Sequence, residues 1–199
     1  SNIQQFIKNI FLHKYERVLT LSQLYQITQK ELTVVTYSIR KSQPVYINYH
    51  NYPDMSCITA VLLSYMRPII FSKIKYKGEL YTGGIVADPY PIRYYDDGQI
   101  NILGIFARQG KNNGNQPMDY LASIVEAPIH QIYDLVRNNT GENCQNIEIT
   151  SANIDVLGIT RTRSEKSKIM NNGWETGQKY LDSLKLSLKL SPSGEIVDE

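Results

Sequence analysis

The sequence predicts an α/β fold in which helices cover a mixed sheet, and three observations carry that prediction. Stretches with helical apolar spacing alternate along the chain with short β-branched and aromatic runs. Residues 100–106 form the near-continuous apolar run of a strand buried on both faces of a parallel sheet. Residues 118–136 place Leu121, Ile124, Val125, Ile129, Ile132, Tyr133 and Val136 at helical spacing, a segment long enough to lie on that sheet. Pro128 is expected to kink or divide this helix.

With 199 residues, 42% hydrophobic and 20% charged, the chain belongs to the globular class, and one domain is expected. The 21 basic and 19 acidic residues leave a net charge of +2, and no basic block with interleaved aromatics marks a nucleic-acid partner. Cys57 and Cys144 show neither a C-x-x-C spacing nor a dense framework, which fits a reducing compartment. No apolar run approaches the roughly 18 residues that span a bilayer. A cytoplasmic or peripheral-membrane location is therefore expected, with any lipid contact at the membrane surface. Ser1 in place of methionine fits a cloning scar, a processed end or a chain that starts within a longer protein.

The elements follow in order. Residues 2–15 set Ile3, Phe6, Ile7, Ile10 and Phe11 on one stripe of a core-facing helix. Thr20 with Gln23 forms a capping box for a short helix through Leu24, Tyr25 and Ile27. The β-branched and aromatic run 33–37 and the run 45–49 predict an antiparallel strand pair. A helix-turn-helix over 22–40, with Leu24, Leu32 and Ile39 as its core, is the rival, and the strand-like run stands where its recognition helix would be. Ser56 caps a buried helix bearing Ile58, Val61, Leu62 and Tyr65, which Pro68 ends. A strand is expected at 69–71, then a strand pair around the Lys77-Gly78 turn, after which Thr82-Gly83-Gly84 bends the chain away.

Asp96-Asp97-Gly98 is a turn signal, and the Asn-rich stretch 111–115 reads as a flexible loop. Residues 147–149 predict a strand, 154–157 an irregular apolar stretch, and 164–184 a final helix. Gly173 and Gly177 inside that helix each cost roughly 1 kcal/mol relative to alanine, so a close backbone approach is expected there. The alternating Leu184, Leu186, Leu188 and Leu190 fit a terminal strand or a tail, and 191–199 is expected to be disordered.

The stretch from Pro53 to Ile92 resembles the patatin-like phospholipases. The resemblance lies in the order of Pro53-Asp54, Ala60, Ser64 with Pro68, the strand, the hairpin 76–81, Thr82-Gly83-Gly84 and Pro91-Ile92. It extends upstream through the short helix 21–28 and downstream to the late helix with its G-x-x-x-G. This resemblance implies a three-layer fold with a mixed, largely parallel sheet flanked by helices. It implies a partial domain over 1–184, lacking the N-terminal strand and nucleophile elbow, followed by a tail over 185–199.

The family hydrolyses lipid acyl esters with a serine and aspartate dyad. A glycine-rich loop binds the oxyanion, a G-x-S-x-G elbow presents the serine, and an aspartate before a glycine doublet is the base. This chain has no G-x-S-x-G, since Gly110 and Gly114 bracket Asn112 while Gly173 and Gly177 bracket Glu175. Thr82 fills the aspartate position, with Gly83 and Gly84 as the loop at the site. A threonine hydroxyl can orient a serine but cannot take its proton near neutral pH. Asp88, six residues on, is a candidate substitute acid, and its rival reading is a residue that fixes the turn before Pro89.

Other residues weigh less. Cys57 and His50 could form a nucleophile and base, but Cys57 sits among apolar neighbours and reads as an inert core thiol. His13, His50 and His130 are dispersed without metal-ligand spacing, so no metal and no cofactor are expected. The 15 tyrosines fit packed strand positions or an amphipathic lipid or protein surface.

Two functions are carried forward. In the first, the chain is part of a patatin-like lipid acyl hydrolase, inactive alone, whose partner chain or segment carries G-x-S-x-G. The apolar residues of 3–11 and 100–106 would then lack cover and promote aggregation. In the second, it is a noncatalytic lipid-binding or protein-interaction module of the same fold.

Overall fold

A computed structural model of the chain describes residues 2–65, 74–109, 117–151 and 162–190. They group into two compact units, Ser1–Pro91 and Ile92–Glu199. The expected strand 69–71, the helix stop at Pro68, the loop 111–115, the stretch 154–157 and the end 191–199 lie outside the described residues.

The first unit runs α1 (Asn2–Tyr15), α2 (Leu21–Thr28), β1 (Val34–Ser38), β2 (Gln43–Ile47), α3 (Cys57–Tyr65), β3 (Ile74–Tyr76) and β4 (Glu79–Gly83). Local chemistry sets most of these boundaries. The Thr20 hydroxyl accepts from the Gln23 N–H at 3.2 Å while the Gln23 side chain accepts from the Thr20 N–H at 3.1 Å, the reciprocal cap expected for α2. Gln29 closes that helix in the left-handed region at φ 54°. Ser56 caps α3 by accepting from the Ile58 N–H at 3.2 Å. The starts of α2 and α3 are tied together by Leu21 N–H to Met55 O and Cys57 N–H to Leu19 O, both 2.9 Å.

Residues 34–38 form a strand, which removes the helix-turn-helix alternative. The four strands make an antiparallel sheet in the order β2-β1-β4-β3. Lys77 and Gly78, at φ 46° and 83°, supply the two left-handed residues of a tight hairpin between β3 and β4. One sheet face packs on α3 to bury Leu19, Leu21, Val34, Ile47, Met55, Cys57, Ala60, Leu63 and Tyr81. From α1, Phe11 and Tyr15 reach this core. Phe6 and Ile10 of the expected core-facing stripe are instead exposed, at 64% and 49%.

The second unit runs β5 (Ile102–Gln109), α4 (Pro117–Asn138), β6 (Cys144–Ser151) and α5 (Arg163–Leu190). β5 and β6 pair in parallel from Ile102 with Cys144 to Gln109 with Ser151, and α4 is the crossover between them. Pro128 lies inside α4 without dividing it. Phe106 stacks on Tyr133 with ring centroids 5.2 Å apart, and Ile129 and Val136 are buried beside them.

Several expectations are corrected. In place of one mixed, largely parallel sheet, the described residues form two sheets, a four-stranded antiparallel one and a two-stranded parallel one. Short links such as Lys77-Gly78 can join only antiparallel strands. β5 is buried on one face only, because α4 covers Phe106 while Leu103 and Ile105 on the other face are 52% and 58% exposed. Gly173 and Gly177 serve no close approach, since a Cβ at either would meet nothing within 4 Å. The final helix expected over 164–184 is longer, because α5 continues to Leu190.

Candidate functional site

The site residues are positioned by the end of β4. Thr82 pairs with Tyr37 and Gly83 with Thr36 of β1. Tyr81 points into the α3-side core, so strand alternation sends the half-buried Thr82 to the opposite face. The Thr82 carbonyl is fixed from below by the fully buried Thr36 hydroxyl, 2.8 Å away and also 3.2 Å from the Leu63 carbonyl of α3.

Gly83 has φ −59° and ψ 145°, a conformation open to most residues. Gly84 is different, because a Cβ there would sit 2.6 Å from the Val35 carbonyl carbon and oxygen. Only glycine lets the chain leave β4 across β1 at this point. A single 3-10 turn (Gly84–Val86) follows, and the Gly84 carbonyl accepts from both Ala87 N–H, at 3.0 Å, and Asp88 N–H, at 2.9 Å.

The turn delivers Asp88 to β2, where its Oδ2 accepts a hydrogen bond from the Tyr46 hydroxyl. Tyr46 is paired with Val35 across β1, two residues from Tyr37, so it shares the sheet face of Thr82. The structure thus brings Thr82, Gly83, Gly84 and Asp88 into one strand-and-turn unit and adds Tyr46 to it. Sequence reasoning missed Tyr46. Its signal was the alternation in Val45-Tyr46-Ile47, which puts the tyrosine on the face away from the core.

Chemically, this unit holds the Asp88 carboxylate, which accepts from the Tyr46 hydroxyl, and the Thr82 hydroxyl beside a glycine turn. The carboxylate can accept a proton, whereas Thr82 can only donate or accept a hydrogen bond. The other candidates do not converge on it. Cys57 is fully buried and burial pushes its thiol up to about 11. His50 is an exposed side chain 3.3 Å from Glu31 and is packed on the Tyr49 ring at 3.9 Å, so it forms no pair with that thiol. Among the described residues no group of three His, Cys, Asp or Glu side chains could hold a metal ion, and no helix is long and apolar enough to cross a membrane.

No family model matches the chain. Over 93 residues, 43% of the chain, it is 32% identical to the probable lipid hydrolase 463L of Invertebrate iridescent virus 6, and the match covers 32% of that protein. In fold it is similar to VipD from Legionella pneumophila, with a TM-score of 0.57 at 19% identity over 83% of this chain and 35% of VipD. The chain therefore spans about a third of the length of each of these two proteins. It shares a mixed α/β fold with VipD and a stretch of sequence with a protein named as a lipid hydrolase, and together these support a patatin-like relationship.

Proposed function

We propose that these residues supply part of a patatin-like lipid acyl hydrolase, of the phospholipase A type, and do not hydrolyse esters by themselves. The observation that carries this reading is the β4 end, where Thr82 precedes a glycine doublet whose second member is laid against the Val35 backbone. The sequence similarity to a lipid hydrolase supports the same reading. In the dyad chemistry, the serine Oγ attacks the ester carbonyl while the carboxylate takes its proton. The ester C–O bond breaks as the alcohol leaves with that proton, and water then hydrolyses the acyl-enzyme to the free acid and the serine. Threonine at the base position cannot take that proton, and losing the acid of such a constellation costs on the order of 10⁴ in rate. These 199 residues also contain no G-x-S-x-G to present the serine.

The test is release of nitrophenol from a short-chain nitrophenyl ester. We expect none from the chain, and none from Thr82→Asp alone. Turnover is expected when Thr82→Asp is combined with a segment that carries a G-x-S-x-G elbow. Hydrolysis by the parent chain that disappears in Asp88→Ala would overturn the reading and make Asp88 the acid. A second reading, a noncatalytic module of the same fold, is favoured by Thr82 itself. It predicts that no added elbow segment restores turnover to Thr82→Asp.

A further inference from the structure

The last helix carries a feature that ester chemistry does not use. α5 is 28 residues long and holds six basic against three acidic residues, in a chain whose net charge is only +2. The helix is thus the most basic element of a nearly neutral molecule. One side of it rests on β6, through Asn172 Nδ2 to the Thr150 carbonyl at 2.5 Å and the Tyr180 hydroxyl to the Gln145 side chain.

A second side is exposed among the described residues. Met170 and Trp174 are 74% and 71% exposed, and Leu181 is 47% exposed. At about 100° per residue these three lie within roughly 40° of arc, forming one stripe. Gly177 borders it, and a Cβ there would meet nothing within 4 Å. Arg163 lies on the same line, while Lys166 and Lys185 flank it at about 60° and 40° to either side. All three cations are exposed. Lys185 is 3.7 Å from Asp182 in a solvent-exposed pair, which leaves it available to other anions.

We propose that this stripe of α5 docks the protein on anionic lipid surfaces, with Met170, Trp174 and Leu181 entering the headgroup region and Arg163, Lys166 and Lys185 meeting lipid phosphates and carboxylates. The charge pattern selects this partner. An apolar stripe flanked by cations, on a helix too polar to span, is the arrangement that lies in the plane of a membrane interface. Tryptophan suits that depth because its ring is apolar while its N–H still finds water or headgroup oxygen. The inference is independent of the ester reading, because vesicle binding is read without turnover.

Trp174 is the only tryptophan in the chain, so its emission reports the docking directly. Phosphatidylcholine vesicles with and without phosphatidylserine are added to the full chain. We expect a blue shift with the anionic vesicles, reversed by added salt, and little change with phosphatidylcholine alone. Lys166→Gln with Lys185→Gln should weaken partitioning roughly 25-fold, about fivefold for each cation lost near an anionic surface. Met170→Gln should reduce it with an unchanged circular dichroism spectrum. The proposal fails if emission does not move with either vesicle, or moves equally with both. It also fails if the double variant binds as the parent does. A blue shift that grows with protein concentration in the absence of lipid would overturn it in favour of a second copy of the chain as the partner.

Discussion

Replacing Gly84 with alanine tests the packing that defines the site. The new Cβ would stand 2.6 Å from the Val35 carbonyl carbon and oxygen and 2.7 Å from its Cγ1. Comfortable carbon contacts lie near 3.5–4.0 Å, so a gap of about 1 Å must open. The obstacle is not a side chain that can rotate. It is the backbone of β1, which is hydrogen-bonded to β2 on one side and β4 on the other. Overpacking costs about 1–3 kcal/mol, and a clash that only a central strand can relieve belongs at the upper end, about 3 kcal/mol. At roughly 2–4 °C per kcal/mol for a chain of this size, Tm should fall by about 6–12 °C. Thermal melts by circular dichroism measure this, and amide exchange should quicken over 34–38 and 79–83. The same substitution at Gly173 or Gly177 meets open space in a helix interior. There it should stabilise, by up to about 1 kcal/mol each. A Gly84→Ala protein that melts within about 1 °C of its parent would refute the close approach.

Three further outcomes are expected. Tyr46→Phe deletes the hydroxyl that donates to Asp88 and should cost about 1 kcal/mol in urea unfolding, and a double-mutant cycle with Asp88→Asn should show the two losses overlapping rather than adding. Asp134 is held below the usual aspartate range by hydrogen bonding to Arg108, and Asp96 and Asp97 by hydrogen bonds from Asn143 and from backbone N–H groups. A depressed carboxylate stabilises the folded chain above its unfolded pKa of about 3.9, and the contribution is lost as pH falls through the lower folded values. Acid titration should therefore show stability fall below about pH 4, less steeply in Asp134→Asn; an identical profile in that variant would remove Asp134 from the account. Burial pushes both thiols upward, Cys57 to about 11, so iodoacetamide near pH 8 should label neither until urea unfolds the chain.

What the sequence made legible was local. The Thr20 and Gln23 capping box, the Ser56 cap, the Lys77-Gly78 hairpin and the Asp96-Asp97-Gly98 turn each depend on residues a few positions apart. The conformations they specify are scarcely altered by the rest of the fold. Gly98, at φ 76°, donates its N–H to Asp96 as that turn requires. What failed was non-local. Apolar character in 100–106 could not tell which face α4 would cover, because that depends on a partner element many residues away. Leucines at 184, 186, 188 and 190 alternate like a strand, yet 184 with 188 and 186 with 190 are also i and i+4 pairs. Interleaved lysine and leucine are good helix formers, and α5 continues through them. Glycine in a helix interior suggested close packing at 173 and 177, but the close packing belongs to Gly84, where the chain crosses a strand.

The candidate site divides along the same line. Thr82-Gly83-Gly84 was readable as a turn because glycine density is a local signal, whereas the Tyr46 contact to Asp88 joins residues on different strands and turns. The fold holds position 82 through its backbone. The Thr36 hydroxyl binds the Thr82 carbonyl, and the strand leaves the sheet because Gly84 fits against Val35. Neither constraint uses the Thr82 side chain, which is half-buried on the face away from the α3 core. An aspartate there would meet the face that already carries the Tyr46 hydroxyl and would leave both backbone constraints intact. Thr82→Asp should therefore fold as the parent does, which makes its activity a test of chemistry rather than of stability. A variant that lost its β1 and β4 amide protection would instead show that the Thr82 hydroxyl is part of the packing.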